Sequence, residues 1–362
     1  MLVNLFKYPF FQFGPRYASA TNESLVDGYK KLGKGVLATY YILNLATMFT
    51  IQTAVTIVTA GIASSIFGEF ISVELWAVAI LSICFCLLLL GKYKLLDHLM
   101  KIIIITLTVS TIAAVSIALF NASEPLSFKQ ILPKNTVETT FLIAFMGWMP
   151  APLSISIIHS LWTIEKKKNI KNLTPKTALF DFNIGYLSTI IVGIGFLLLG
   201  ALVMYPTGNT FSSKAGMFAN QLIKMHTNSL GNWAYIIIGI AAFTTMFSTT
   251  LTTLDALPRA MNRTTKLLFN KDYKLGYLLW MLFLIFGTII IFFFFDSEMG
   301  LLIKIATILG FLAAPFYAIT NYILISSKHT PKEWRPSKTL HIMSCLGILF
   351  LIGFSVWYLS IL

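Results

Sequence analysis

About nine apolar runs in this chain reach the roughly 20 residues that carry a helix across a bilayer core. They lie near 36–67, 72–91, 98–120, 139–163, 180–205, 231–257, 275–295, 299–326 and 339–361. In hydrocarbon every backbone N–H and C=O must be satisfied within the segment, so such runs predict helices. With 57% hydrophobic residues, 11% charged and a mean hydropathy of +0.79, an ordinary soluble domain is excluded. The expected class is an all-α polytopic membrane protein, with residues 1–362 forming a single transmembrane domain. Residues 1–13, MLVNLFKYPFFQF, are too short to span alone and read as the partial remnant of a helix.

A net charge of +13 suggests nucleic acid, but the basic residues are sorted by loop. Five segments carry 21 of the 27 Lys and Arg residues: 14–35, 92–101, 164–176, 258–274 and 327–338. Arg16, Lys30 and Lys31 stand in the first, Lys92 in the second, Lys166, Lys167, Lys168 and Lys171 in the third, and Arg259 and Arg263 in the fourth. The alternate loops hold Lys129, Lys134, Lys214 and Lys224 with the acids Asp296 and Glu298. All five basic segments fall on one side, which the positive-inside rule makes cytoplasmic; the C-terminus is then outside. No nucleic-acid partner is expected. Cys84, Cys86 and Cys345 lie in apolar runs without metal-type spacing and read as packing residues.

One span is interrupted. GWMPAPLS, residues 147–154, places a glycine and two prolines inside the run 141–162. Pro150 has no N–H to donate to the Met146 carbonyl, nor Pro152 to that of Trp148, at a cost of about 3 kcal/mol per interior proline. Gly147 lets the backbone leave the helix cheaply. Freed carbonyls and the Met149 thioether then face one cavity, the arrangement by which discontinuous helices of transporters hold ions near the midplane. A thioether favours softer metals such as manganese or iron over calcium and magnesium. The same residues also read as a simple proline kink with a packed methionine.

Residues 139–162, TTFLIAFMGWMPAPLSISIIHSLW, resemble the broken sixth helix of the Nramp family of divalent metal transporters. LFKYPFFQFGPRYASATNESLVDGYKKLGKG, LATMFTIQTAVTIVTAG and DFNIGYLSTIIVGIGFLLLGALVMY are similar to an Nramp-related bacterial branch. The likeness runs from the family's second helix to its eleventh. It implies a LeuT-type fold of inverted five-helix repeats. It also implies metal ligation by the Met of a Met-Pro step and by the carbonyl three residues before it, here Met149 and Met146.

The chain departs from that family at three places. The family's first helix supplies an Asp-Pro-Gly-Asn-like segment that these residues lack, and Met1 falling in mid-helix makes a truncated start the expectation. The family's two histidines after the Met-Pro step are replaced by Ala151 and Ser156, with His159 on nearly the same face. The family's third helix carries acids for proton movement, whereas ATMFTIQTAVTIV has Thr50, Gln52 and Thr53. Intramembrane acids are the usual proton relays, so the sequence leaves proton coupling open. Ala313 stands where the family often has a glutamine near the metal.

Other polar residues along the expected path are His159, Asp181, Asn183, Thr245, Ser248 and Thr249. Each has a plainer reading as well. Asp181 and Asn183 suit the first turn of a helix, Asp255 pairs with Arg259 one turn on, the hydroxyls bond back to their own helix, and Lys304 snorkels toward Asp296 and Glu298. The sequence thus predicts no enzyme and no cofactor. It predicts transport of a divalent cation across a bacterial inner membrane by alternating access around residues 146–152, with the lipid bilayer and the metal as partners and no oligomeric state assigned. A carrier of an amino acid or organic cation, or an inactive truncated homologue, is the alternative.

Overall fold

The computed structural model describes residues 2–91, 93–120, 132–169, 173–205, 208, 210–294 and 299–361. Expectations resting on Lys92, Lys129, Lys171, Asp296 and Glu298 lie outside them, including the direction in which Lys304 snorkels. The helices are α1 (Leu2–Thr21), α2 (Leu25–Leu32), α3 (Lys34–Phe67), α4 (Val73–Leu90), α5 (Tyr93–Phe120), α6 (Thr136–Trp148) and α7 (Ile155–Asn169). They continue as α8 (Pro175–Leu199), α9 (Ala215–Leu230), α10 (Tyr235–Phe269), α11 (Gly276–Phe294), α12 (Met299–Ser326) and α13 (Lys338–Ile361). Seven of the helical stretches described are long and apolar enough to cross a membrane. With α5 and the broken pair α6–α7, they reproduce the nine spans read from the sequence.

The first helix differs from expectation. It extends past residue 13: α1 runs for 20 residues, Leu2–Thr21, through Pro9 and Pro15, so Arg16 stands in a helix rather than a loop. Packing explains the continuation. A Cβ on Gly14 would lie 2.2 Å from the Ser156 carbonyl oxygen, so α1 and α7 touch backbone to backbone. Tertiary contact of that kind outweighs a proline's propensity cost, and neighbouring groups make good the lost donors in membrane helices.

Two apolar cores organise the bundle. One gathers α1, α2, α6, α7, α12 and α13 around Phe10, Phe13, Ile157, Phe311 and Tyr317. The other joins α3, α4, α10 and α11 around Met48, Ala60, Leu254 and Leu284. Helix α3 bridges them and makes its most extensive pairing with α10. There Thr59 and Thr250 share a hydrogen bond of 2.8 Å, and the buried Gln52 donates to the Thr250 carbonyl at 3.3 Å.

Three of the basic segments, 14–35, 164–176 and 258–274, are bonded to one another, in keeping with the charge sorting. Ser24 and Asp27 cap α2 reciprocally, and Arg263 Nε reaches Asp27 from α10 at 3.0 Å. Lys167 donates to the Ser19 carbonyl at 2.8 Å and Lys30 to Asn270 at 3.1 Å. Asp255 is clamped by Arg259 Nε at 2.7 Å and by the Tyr277 hydroxyl at 2.5 Å. Several of these groups sit inside helices that project past the apolar layer, not in loops.

Candidate functional site: the broken turn between α6 and α7

Helix α6 ends at Trp148, and Met149 is extended, with φ −93° and ψ 117°. Pro150 and Pro152 supply no donors, and helical bonding resumes when Ile155 N donates to the Pro152 carbonyl at 3.0 Å. The interruption lies where the two prolines place it. Gly147, expected to loosen the backbone, is instead still helical. Its work is a close approach: a Cβ there would sit 2.0 Å from the Thr307 carbonyl oxygen of α12.

The carbonyls around the break converge on a single cation, and that cation belongs to the chain. Lys7 of α1 is 0% exposed. Its Nζ donates to the carbonyls of Met146 at 2.6 Å, Gly147 at 2.8 Å, Met149 at 3.2 Å and Ala151 at 3.3 Å. It pairs with no carboxylate among the described residues. Two of these oxygens lie in the last turn of α6, where carbonyls lack helical partners and the helix dipole is negative. The Met146 carbonyl is therefore free of the helix, as its sequence implies, but occupied by an ammonium rather than vacant.

Lys7 was not legible as a site residue. It is one lysine in an aromatic run too short to count as a span, and neither set of loops includes it. The available signal was the general one: an ionisable residue at membrane depth marks function by default.

The remaining candidates separate. The Met149 side chain packs on α8, where a Cβ on Gly193 would meet its Cε at 3.2 Å and its Sδ at 3.9 Å, and it lines an apolar groove with Phe145 and Trp148. Its carbonyl joins the cage while its sulfur rests on α8. His159 lines a cavity of about 470 Å³ with Pro150, Ala151, Tyr186 and Asp181; its Nδ1 has no hydrogen-bond partner and its ring meets Phe182 edge-on at 5.9 Å.

Asp181 lies six residues past the start of α8 rather than opening it, and pairs with Lys166 at 2.6 Å on an exposed edge. Asn183 accepts from the Tyr8 hydroxyl at 2.8 Å. That contact ends a polar ladder along α1, in which Arg16 donates to Gln12 at 2.7 Å and Gln12 to Tyr8 at 2.6 Å.

On α10, Thr245 and Thr249 bond back to the carbonyls of Ala241 and Thr245 at 2.7 and 3.0 Å. Ser248 and Thr252 instead face a polar cavity of about 1130 Å³ whose walls include Asp27, Asp255 and Arg263. Ala313 is buried. Among the described residues no three His, Cys, Asp or Glu side chains gather to hold a metal ion, so the oxygen donors at the break are main-chain.

A helical membrane bundle with one span broken around a cation cage is the class these features define. The family model described as natural resistance-associated macrophage protein-like matches residues 10–360, and the chain belongs to that family, Nramp. It is 33% identical over 366 residues to uncharacterized protein PM0681 of Pasteurella multocida (strain Pm70), covering 99% of this chain and 83% of that one. Its fold is similar to crystal structures of a manganese transporter of Eremococcus coleocola. A point mutant of that transporter matches with TM-score 0.67 at 14% identity, covering 98% of this chain and 77% of the other. The same transporter in complex with an aromatic bis-isothiourea substituted compound matches with TM-score 0.68 at 14% identity, covering 99% and 78%. The fold is thus the LeuT type that the sequence resemblance implied.

Proposed function

We propose that this chain carries a divalent metal cation of the manganese or iron kind across a bacterial inner membrane, with its C-terminus on the outer side. One observation supports this most: four main-chain oxygens, two from the last turn of α6 and two from the break, point at one positive centre. Carbonyls freed from a discontinuous helix are what a carrier uses to replace a cation's hydration shell. The structural relatives are manganese transporters, and Met149, whose carbonyl joins the cage while its sulfur rests on α8, would supply the soft donor that favours such metals over calcium once its side chain turns to the cage. Alternating access would rock one half of the bundle against the other, with the cavities beside α7 and α10 on the path.

The test is uptake by the full chain in proteoliposomes. Mn²⁺ is expected to quench a trapped metal-sensitive dye, Ca²⁺ to quench it far less, and Met149→Ala to slow Mn²⁺ uptake roughly tenfold, equivalent to about 1.4 kcal/mol. Gln52 and Thr53 are both buried where the family's third helix has acids, so a trapped pH dye should stay silent during uptake. An amine also fits four carbonyls. Uptake of small organic amines or amino acids without Mn²⁺ uptake would make the chain an organic carrier, and no uptake of either by folded protein would make it inactive.

A further inference from the structure

We propose that Lys7 is a tethered cation that competes with the transported metal for the carbonyls of the break, so that cargo binds only when its ammonium leaves them. The inference rests on reading the break as the cargo site.

A helix C-terminus is often capped by a lysine that bonds its last carbonyls. Lys7 does more than that. It bonds Met146 and Gly147 within α6, Met149 at the cap position and Ala151 beyond it, so it reaches from the last turn of α6 into the interruption. It is fully enclosed and leans on backbone dipoles alone, with no carboxylate partner among the described residues.

Such a shell suits one cation at a time. The Met146 oxygen that the family resemblance gives to the metal is the shortest of the lysine's four contacts. A divalent ion at that oxygen and an ammonium 2.6 Å from it would repel strongly in a water-poor interior.

The backbone that carries Lys7 is held still. The Asn4 carbonyl accepts from the Tyr186 hydroxyl at 2.6 Å, Tyr8 bonds Asn183, and Phe10 is 0% exposed. Movement therefore falls to the flexible four-carbon stem, which swings without moving α1. The cavity lined by Pro150, Ala151, His159 and Asp181 shares Ala151 with the cage and offers a polar place for the displaced head. Lys7 would then weaken cargo binding, setting the site for release rather than retention.

The experiment is Mn²⁺ binding to the purified full chain, read by calorimetry, for the parent, Lys7→Gln, Lys7→Met and Lys7→Arg. Both neutral variants are expected to bind Mn²⁺ at least about tenfold more tightly, and Lys7→Arg to stay as weak as the parent or weaker. A purely structural cap gives the reverse: equal or weaker binding in neutral variants that still elute as monodisperse protein with a cooperative unfolding transition. Equal binding by all four overturns the role of Lys7 and leaves the metal site standing, whereas binding by none overturns both. Should the neutral variants fail to fold, the parent's Mn²⁺-bound structure decides. Lys7 Nζ displaced from the Met146 oxygen upholds the competition, and Nζ still bonded to it beside a bound metal overturns it.

Discussion

Gly147→Ala is expected to abolish metal uptake and to lower the stability of the protein. The added methyl would lie 2.0 Å from the Thr307 carbonyl oxygen and 2.9 Å from its carbon, both backbone atoms of α12. A flexible side chain could swing away, but a helix backbone must shift bodily, and close-packed interiors resist that. Overpacking of this kind costs roughly 1–3 kcal/mol. The functional loss should exceed the loss of stability, because Gly147 also supplies one of the cage oxygens. Moving α6 off α12 therefore moves the cage. Gly353→Ala is the control, since a methyl there meets nothing within 4 Å. Uptake in proteoliposomes and thermal unfolding in detergent check the prediction; parental uptake by Gly147→Ala would show that the α6–α12 contact does not position the break.

The second large effect is expected at Asn321, whose side chain joins four helices although it lies at 0% exposure in the core. Its Oδ1 accepts from the Tyr29 hydroxyl of α2 at 2.6 Å. Its Nδ2 donates to Ser156 Oγ of α7 at 2.9 Å and to the Phe10 carbonyl of α1 at 3.4 Å. A typical interhelical hydrogen bond inside a membrane protein couples by only about 0.6 kcal/mol. Asn321→Leu removes several at once, however, and strands the Tyr29 hydroxyl, and a buried polar group left without a partner costs about 1–3 kcal/mol. A loss of about 2 kcal/mol follows, measurable as a lower denaturation midpoint. Because Tyr29→Phe removes the same bond from its other end, the double variant should lose less than the sum of the singles. Strict additivity would mean that the amide and the hydroxyl do not support one another.

The sequence made some features legible and hid others, for physical reasons. Span existence was readable because the bilayer imposes both a length and an apolar composition, and eight of the helical runs and the broken one fall where those two demands put them. The break was readable because a proline's missing N–H is a local fact. So was the back-bonding of Thr245 and Thr249, which depends only on their own helix. What could not be read depends on which helices touch. Gly14 and Pro15 look like the end of α1 until the Ser156 carbonyl packs on Gly14 and keeps the helix going. Gly147 looks like a hinge until Thr307 is placed beside it. Lys7 looks like a stray charge until α1 brings it, across 139 residues of sequence, to the Met146 oxygen. Asn321 gives no such signal, because its three partners, Tyr29, Phe10 and Ser156, come from elements remote from it in the chain.

The cage at the break is most directly tested by locating the metal itself. Crystals of the full chain grown with Mn²⁺, measured at the manganese absorption edge, should show an anomalous peak at coordination distance from the Met146 carbonyl oxygen and its neighbours through Ala151. A peak elsewhere in the bundle, with those oxygens still held by Lys7, would contradict the assignment of the broken turn as the cation site.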